Sequence, residues 1–207
     1  MNYTTIPSEE VLSKTAEGIK AHNEQPIIVQ TKEEALAKIK ELIPAGASVT
    51  NGASKTLEAI GFIDYLKSGT HGWNNLHEKI LEEKDPKKQT LLRRQMSVSD
   101  YYLGSVHALT EAGEILVASN TGSQLPSITF NSQNLIFVVG AQKIVPTLED
   151  AFKRLHEHVM PLEDARMKGV YGPQGGTFLS KLLIYYGENA SSKRTVTVII
   201  VRESLGF

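Results

Sequence analysis

Three short loops carry residue types that hold anions. Asn51-Gly52-Ala53-Ser54 leaves a β-branched run and opens a helical pattern. Glycine lets a backbone approach a ligand closely, and free amides at a helix start favour negative charge. The same spacing also reads as a plain helix cap at Ser54 after a tight turn. Asn120-Thr121-Gly122-Ser123-Gln124 offers small hydroxyls, amides and a glycine, a set able to cradle a phosphate, a carboxylate or a ribose. Neither a Walker lysine nor a Gly-x-Gly-x-x-Gly spacing accompanies it, so the other reading is an ordinary polar loop. Gly140-Ala141-Gln142-Lys143 directly follows the most apolar run of the chain. Lys143 there either neutralises an anionic ligand or lies on the surface, as most lysines do. Glu111, in Leu109-Thr110-Glu111-Ala112-Gly113-Glu114, is the candidate catalytic carboxylate. Desolvated, it would act as acid, base or acyl-accepting nucleophile; otherwise it is a solvated turn residue.

The six histidines supply no metal set. His156 and His158 are two apart and do not share a helix face. His71 and His77 are wrongly spaced for a helical pair, and His107 is isolated in sequence. All six read as surface or helix-edge residues, and Trp73 as a packing anchor.

The loops need strands and helices to aim them. Residues 8–22 follow Pro7 with a capping Ser8 and place Val11, Leu12, Thr15, Ala16 and Ile19 on one face. Pro26–Gln30 reads as a strand. Thr31 and Glu34 form a capping box for a helix that turns Ala35, Leu36, Ile39 and Ile43 inward. Ser48-Val49-Thr50 is a short buried strand, and a helix runs on through Leu57 and Ile60. Residues 74–96 read as helical, broken at Asp85-Pro86, with a charged outer face; the pattern fits a lid or an outer pair. Residues 108–119 hold strand segments turned by Gly113. Leu135–Val139 is apolar on both parities, the mark of a strand buried on both faces. Thr147 and Asp150 cap a helix whose inward face is Leu148, Ala151, Phe152, Leu155 and Val159. Residues 169–177 read as a glycine-rich loop and Thr195–Val201 as the last strand. Alternating strands and helices of these lengths predict an α/β fold, an open, mostly parallel sheet with helices on both faces. Ligands of such sheets gather beyond the carboxyl ends of the strands.

With 207 residues, 41% hydrophobic and 22% charged, the chain can bury a core as one domain, residues 1–207. The formal net charge of -1 carries no basic excess for nucleic acid. No cysteine is present, which excludes disulfides, thiolate nucleophiles and cysteine-ligated metal centres. The start of the chain lacks a signal-peptide pattern and no run is apolar enough for membrane insertion, so the expected location is cytoplasmic.

Four segments carry a family resemblance. They are Tyr102-Leu103-Gly104, Ala108–Gly113, Gly122-Ser123-Gln124-Leu125-Pro126-Ser127 and Val138–Val145, joined by the closing Val198–Phe207. Together they resemble the lactate-utilisation (LUD) domain family. The resemblance implies a fold like that of sugar-phosphate isomerases, CoA-transferases and formyltetrahydrofolate cyclo-ligase. It also implies a link to the oxidation of L-lactate to pyruvate, beside iron–sulfur oxidoreductase partner proteins. CoA-transferases of this broad fold use a glutamate near a Glu-x-Gly turn, and Glu111 with Gly113 is similar in pattern. Many short members carry cysteines before the last strand; Gly169–Thr177 here has none, which removes cluster or thiol chemistry from that segment. The ligand expected is a small anionic metabolite or a nucleotide-like molecule, with no particular cofactor indicated. Whether the chain is an enzyme, an accessory subunit of an iron–sulfur oxidoreductase, or a transferase or isomerase unrelated to lactate stays open at this level.

Overall fold

A computed structural model describes residues 2–207. Ser8 caps α1 (Glu9–Ala21) by accepting the Val11 amide at 3.4 Å. After β1 (Gln25–Val29), Thr31 caps α2 (Lys32–Leu42) through the Glu34 amide at 3.2 Å. The Glu34 carboxylate closes back on the Gln30 amide at 2.8 Å, one residue earlier than a standard capping box. β2 (Ser48–Asn51) leads through the Asn51 loop into α3 (Lys55–Ala59) and α4 (Phe62–Lys67). A two-residue β3 (Asn74–Asn75) precedes α5 (Leu76–Glu82) and α6 (Pro86–Gln95). Asp85 caps α6 ahead of Pro86, the break expected there. Next come β4 (Ser99–Gly104), β5 (Ala108–Thr110), β6 (Ile115–Ser119), β7 (Ser132–Gly140) and β8 (Ile144–Val145). The chain closes with α7 (Leu148–Arg154), α8 (Met160–Tyr171), β9 (Lys181–Tyr185) and β10 (Thr195–Val201).

Six strands form an all-parallel sheet in the order β1-β10-β7-β4-β2-β3. Period-two alternation divides β7 and β10 between two cores. Leu135, Phe137, Val139, Val196, Val198 and Ile200 pack with Leu12 and Ile19 of α1. Ile136, Val138, Ile199 and Val201 pack on the other side with Ala35, Ile39, Leu57 and Phe62. Helices on both faces explain why these strands are apolar on both parities. Burying each such side chain contributes about 1.5–3 kcal/mol.

The chain departs from a simple open sheet in one respect. A second sheet, β8-β5-β6-β9, is mostly antiparallel and lies against the α1 side of the first. Its Ile115 and Val117 face the large sheet, while Leu116 and Ala118 face Ala151, Leu155 and Val159. Gly113 turns the β5–β6 hairpin at φ +102°, and a Cβ on it would lie 2.6 Å from the Gly18 carbonyl carbon, so hairpin and α1 meet backbone to backbone.

The amphipathic helix expected from Thr147 does not stop at Val159. A π-turn spans Leu155–Val159, where Pro161 cannot donate the usual amide, and α8 then overruns the first residues of the expected glycine-rich loop. α6 and α8 bury no residue and α5 buries only Ile80. These helices are outer arms held by few apolar contacts.

Candidate functional site

The carboxyl ends of β2, β4 and β7 open into a cavity of about 500 Å³, a size typical of small-ligand sites. Asn51, Gly52 and Ser54 reach it from β2, and Ser105, Val106 and His107 from β4. Asn120, Thr121 and Ser123 reach it from β6, and Lys143 from the 3-10 turn after β7. The arms add His77 and Arg93 on one side and Arg166, Met167 and Tyr171 on the other.

Lys143 is only 3% exposed. Its Nζ donates to Thr56 Oγ1 at 2.9 Å, Ser105 Oγ at 3.2 Å and the Val106 carbonyl at 3.2 Å. None of these oxygens is ionised, and no carboxylate pairs with Lys143 among the described residues. Burial, with the nearby Arg154 guanidinium, brings its ammonium down to about 7.

Arg154 is fully buried as well. Its Nη1 donates to the His107 carbonyl, while Nε and Nη2 have no partner among the described residues. Burial pushes its guanidinium down to about 10, a shift the neighbouring Tyr3 partly opposes. Among the described residues, two cations without a counter-ion thus stand at the cavity wall, Lys143 lining it and Arg154 behind it. Uncompensated buried charge is costly, so it is kept where a function or a ligand accounts for it.

His107 corrects the surface reading of the histidines. It is half-buried, and its Nδ1 accepts the Ala118 amide at 3.0 Å, which places the proton on Nε2. Burial, then Lys143 and Arg154, push it down to about 3, so the ring is neutral across the physiological range. A neutral imidazole can donate Nε2–H to a ligand oxygen without adding charge. Burial also raises the Tyr102 phenol, which stays protonated and donates to Gln124 Oε1 at 3.1 Å.

The cavity gathers Asn51, Gly52, Ser54, Asn120, Thr121, Ser123 and Lys143 from the loops singled out in sequence. Three other residues are placed elsewhere. Gly122 is a turn residue at φ +80° beside Lys181. Gly140 lies against the tail, where a Cβ would sit 2.8 Å from the Leu205 amide. Glu111 does not line the cavity; it sits at the β5–β6 hairpin, paired with Lys14 at 2.8 Å. Ser54 acts as a cap, accepting the Leu57 amide at 3.2 Å. Thr56, Ser105, His107, Tyr102 and Arg154 were not singled out as site residues. Position signals Ser105 and His107, which lie just beyond the carboxyl end of β4. Arg154 carries no such signal, because it lies on the helix after the site loop.

Gly52 shows why this wall tolerates no side chain. A Cβ there would fall 2.6 Å from both the Tyr102 hydroxyl and Gln124 Oε1. Gly52→Ala is expected to cost ~1–3 kcal/mol of stability through overpacking, measured by thermal denaturation.

Among the described residues no group of three or more His, Asp or Glu is placed to hold a metal, and no helix is long and apolar enough to cross a membrane.

The LUD domain family model matches residues 12–171. No curated protein matches the sequence. Among solved structures the chain is similar to a DUF162 family protein from Deinococcus radiodurans, with 15% identity and a TM-score of 0.55. That likeness covers 95% of this chain and 99% of the other, and at such identity it speaks for the fold. Because the family model spans most of the sequence, the chain belongs to the LUD domain family.

Proposed function

We propose that the cavity binds a small anionic metabolite or nucleotide-like ligand, and that the protein serves the oxidation of L-lactate to pyruvate. The observation that carries this reading is Lys143, a buried cation on the cavity wall whose partners among the described residues are all neutral oxygens. An anion beside it supplies the missing counter-charge, and Arg154 reinforces the same field. The Asn51 and Asn120 loops add hydroxyls and amides around the ligand. His107 Nε2–H donates to a ligand hydroxyl or carbonyl. Glu111, remote from the cavity, has a structural part in this scheme, holding the hairpin to α1 through Lys14. Family membership supports the link to lactate and to an iron–sulfur oxidoreductase partner.

A thermal-shift panel of lactate, pyruvate, inorganic phosphate, sugar phosphates and mononucleotides tests it. At least one anion should raise the melting midpoint of the wild type and of Glu111→Gln, with no effect on Lys143→Met. No response from any anion, or a response lost in Glu111→Gln and kept in Lys143→Met, would overturn the assignment.

A second reading, a non-catalytic subunit docked on an oxidoreductase, draws support from exposed Tyr171 and Phe178 at the cavity, with exposed Leu162 and Val170 on α8. Growth on L-lactate separates the two. Under the docking reading, Lys143→Met grows normally and Phe178→Asp does not; under the ligand reading, Lys143→Met fails.

A further inference from the structure

The surroundings of Lys143 suit a nucleophile as well as a cation. The protons of its neighbours are committed elsewhere: Ser105 Oγ donates to Thr56 Oγ1 at 3.1 Å, and Thr56 Oγ1 donates to the Leu205 carbonyl at 3.2 Å. Lys143 therefore meets a fixed row of neutral oxygens, with no carboxylate among the described residues to hold it protonated. Exposed lysines such as Lys14, Lys55 and Lys153 are ion-paired to glutamates instead. A desolvated lysine beside another cationic group is the arrangement that frees an amine at neutral pH, and the amine of Lys143 is half-free near pH 7. His107 borders the same cavity, with its Nε2–H available to a ligand.

We propose that Lys143 captures an aldehyde or ketone ligand, one that also bears a carboxylate or phosphate, as a covalent imine. The proposal rests on the reading that this cavity is the ligand site, and it names the substrate class. The Nζ lone pair attacks the carbonyl carbon, and the carbonyl π pair moves to oxygen, where His107 Nε2–H donates a hydrogen bond. One proton passes from nitrogen to that oxygen, giving a carbinolamine. The oxygen then leaves as water, taking up the proton that the ammonium gave to solvent before its attack, while the nitrogen lone pair forms the C=N bond and the remaining N–H stays on the iminium. In sum, an ammonium and a carbonyl become an iminium and water, with charge unchanged and no oxidant or reductant consumed. The iminium keeps its positive charge where the ligand's own anionic group can pair with it.

The test is borohydride trapping. The protein is incubated with pyruvate or with glyceraldehyde 3-phosphate near neutral pH, reduced with sodium borohydride, and read by intact mass and peptide mapping. One reduced adduct on Lys143 is expected, about tenfold or more above any exposed lysine because those remain protonated. It should vanish in Lys143→Met, and in the wild type its yield should rise with pH through about 7 rather than through the ordinary lysine range. No adduct at Lys143 with either probe, or equal labelling of wild type and variant, would overturn the imine. If anions still stabilise the wild type while borohydride traps nothing, the imine fails and the binding assignment stands. If neither occurs, both fall.

Discussion

Lys143→Met is expected to melt at a higher temperature than the wild type and to lose its response to anions. The ammonium is buried against neutral oxygens, so folding at neutral pH works against its ordinary preference for water. Its folded value is depressed to about 7 from 10.5. A depressed cation contributes stability that is present above the unfolded value and lost as pH falls toward the folded one. The advantage of Lys143→Met should therefore grow as pH falls from about 10 to about 7 and level off below that. Methionine fills a similar volume and leaves Thr56 and Ser105 at a cavity wall that water can reach. The net gain is expected to be ~2–4 kcal/mol below pH 7, or roughly 5–10 °C in melting midpoint. The same substitution removes the charge an anion would meet, so ligand-induced stabilisation should disappear. Thermal melts across pH, with and without the anions, read both effects together. A variant that is less stable than wild type at every pH would contradict the account.

Glu24→Gln is expected to relieve a loss of stability at alkaline pH. Glu24 lies just before β1, is 4% exposed, and neither of its carboxylate oxygens has a hydrogen-bond partner among the described residues. Burial, with Glu188 nearby, raises its carboxyl to about 8. Glu188 itself is held by Arg194 and by the Tyr185 hydroxyl, each at 2.8 Å. A raised carboxyl contributes stability that is fully present below the unfolded value and lost as pH rises through the folded one. Wild-type stability from this group thus declines between about 4.5 and 8. Glutamine cannot ionise and replaces a protonated acid of nearly the same shape. The two proteins should melt alike near pH 5, while Glu24→Gln should be ahead by ~2–4 kcal/mol at pH 8–9. Parallel pH curves for the two would contradict this.

Much of the fold is legible in the sequence because its strands and caps have local causes. Leu135–Val139 announces burial on both faces, Thr195–Val201 reads as a strand, and Ser8, Thr31, Ser54 and Thr147 cap where their spacing implies. The second sheet is less visible. Lys181–Tyr185 is a short apolar run after a polar loop, and its pairing with Ile115–Ser119 is a long-range choice no local pattern encodes. α8 was hidden for a different reason: Gly169 and the following loop resemble a helix stop, and Pro161 is absorbed by a π-turn. At the site, position past a strand end singles out Asn51, Asn120 and Lys143. Glu111 stands out in the sequence by its turn and its Glu-x-Gly pattern, and it ends instead beside α1, paired with Lys14 at the β5–β6 hairpin. The isolation of Lys143 from any carboxylate, and the neutral tautomer of His107, arise only once distant segments are packed together.

The central claim is that Lys143 is an unpaired, ligand-facing amine. It is tested most directly by carbon-13 NMR of protein labelled at the lysine Cε, titrated with and without inorganic phosphate. One lysine signal, missing in Lys143→Met, should titrate near 7 in the free protein and move upward when the anion binds. If every lysine titrates in the ordinary range, or if the Lys143 signal ignores phosphate and every other anion of the panel, the account is wrong.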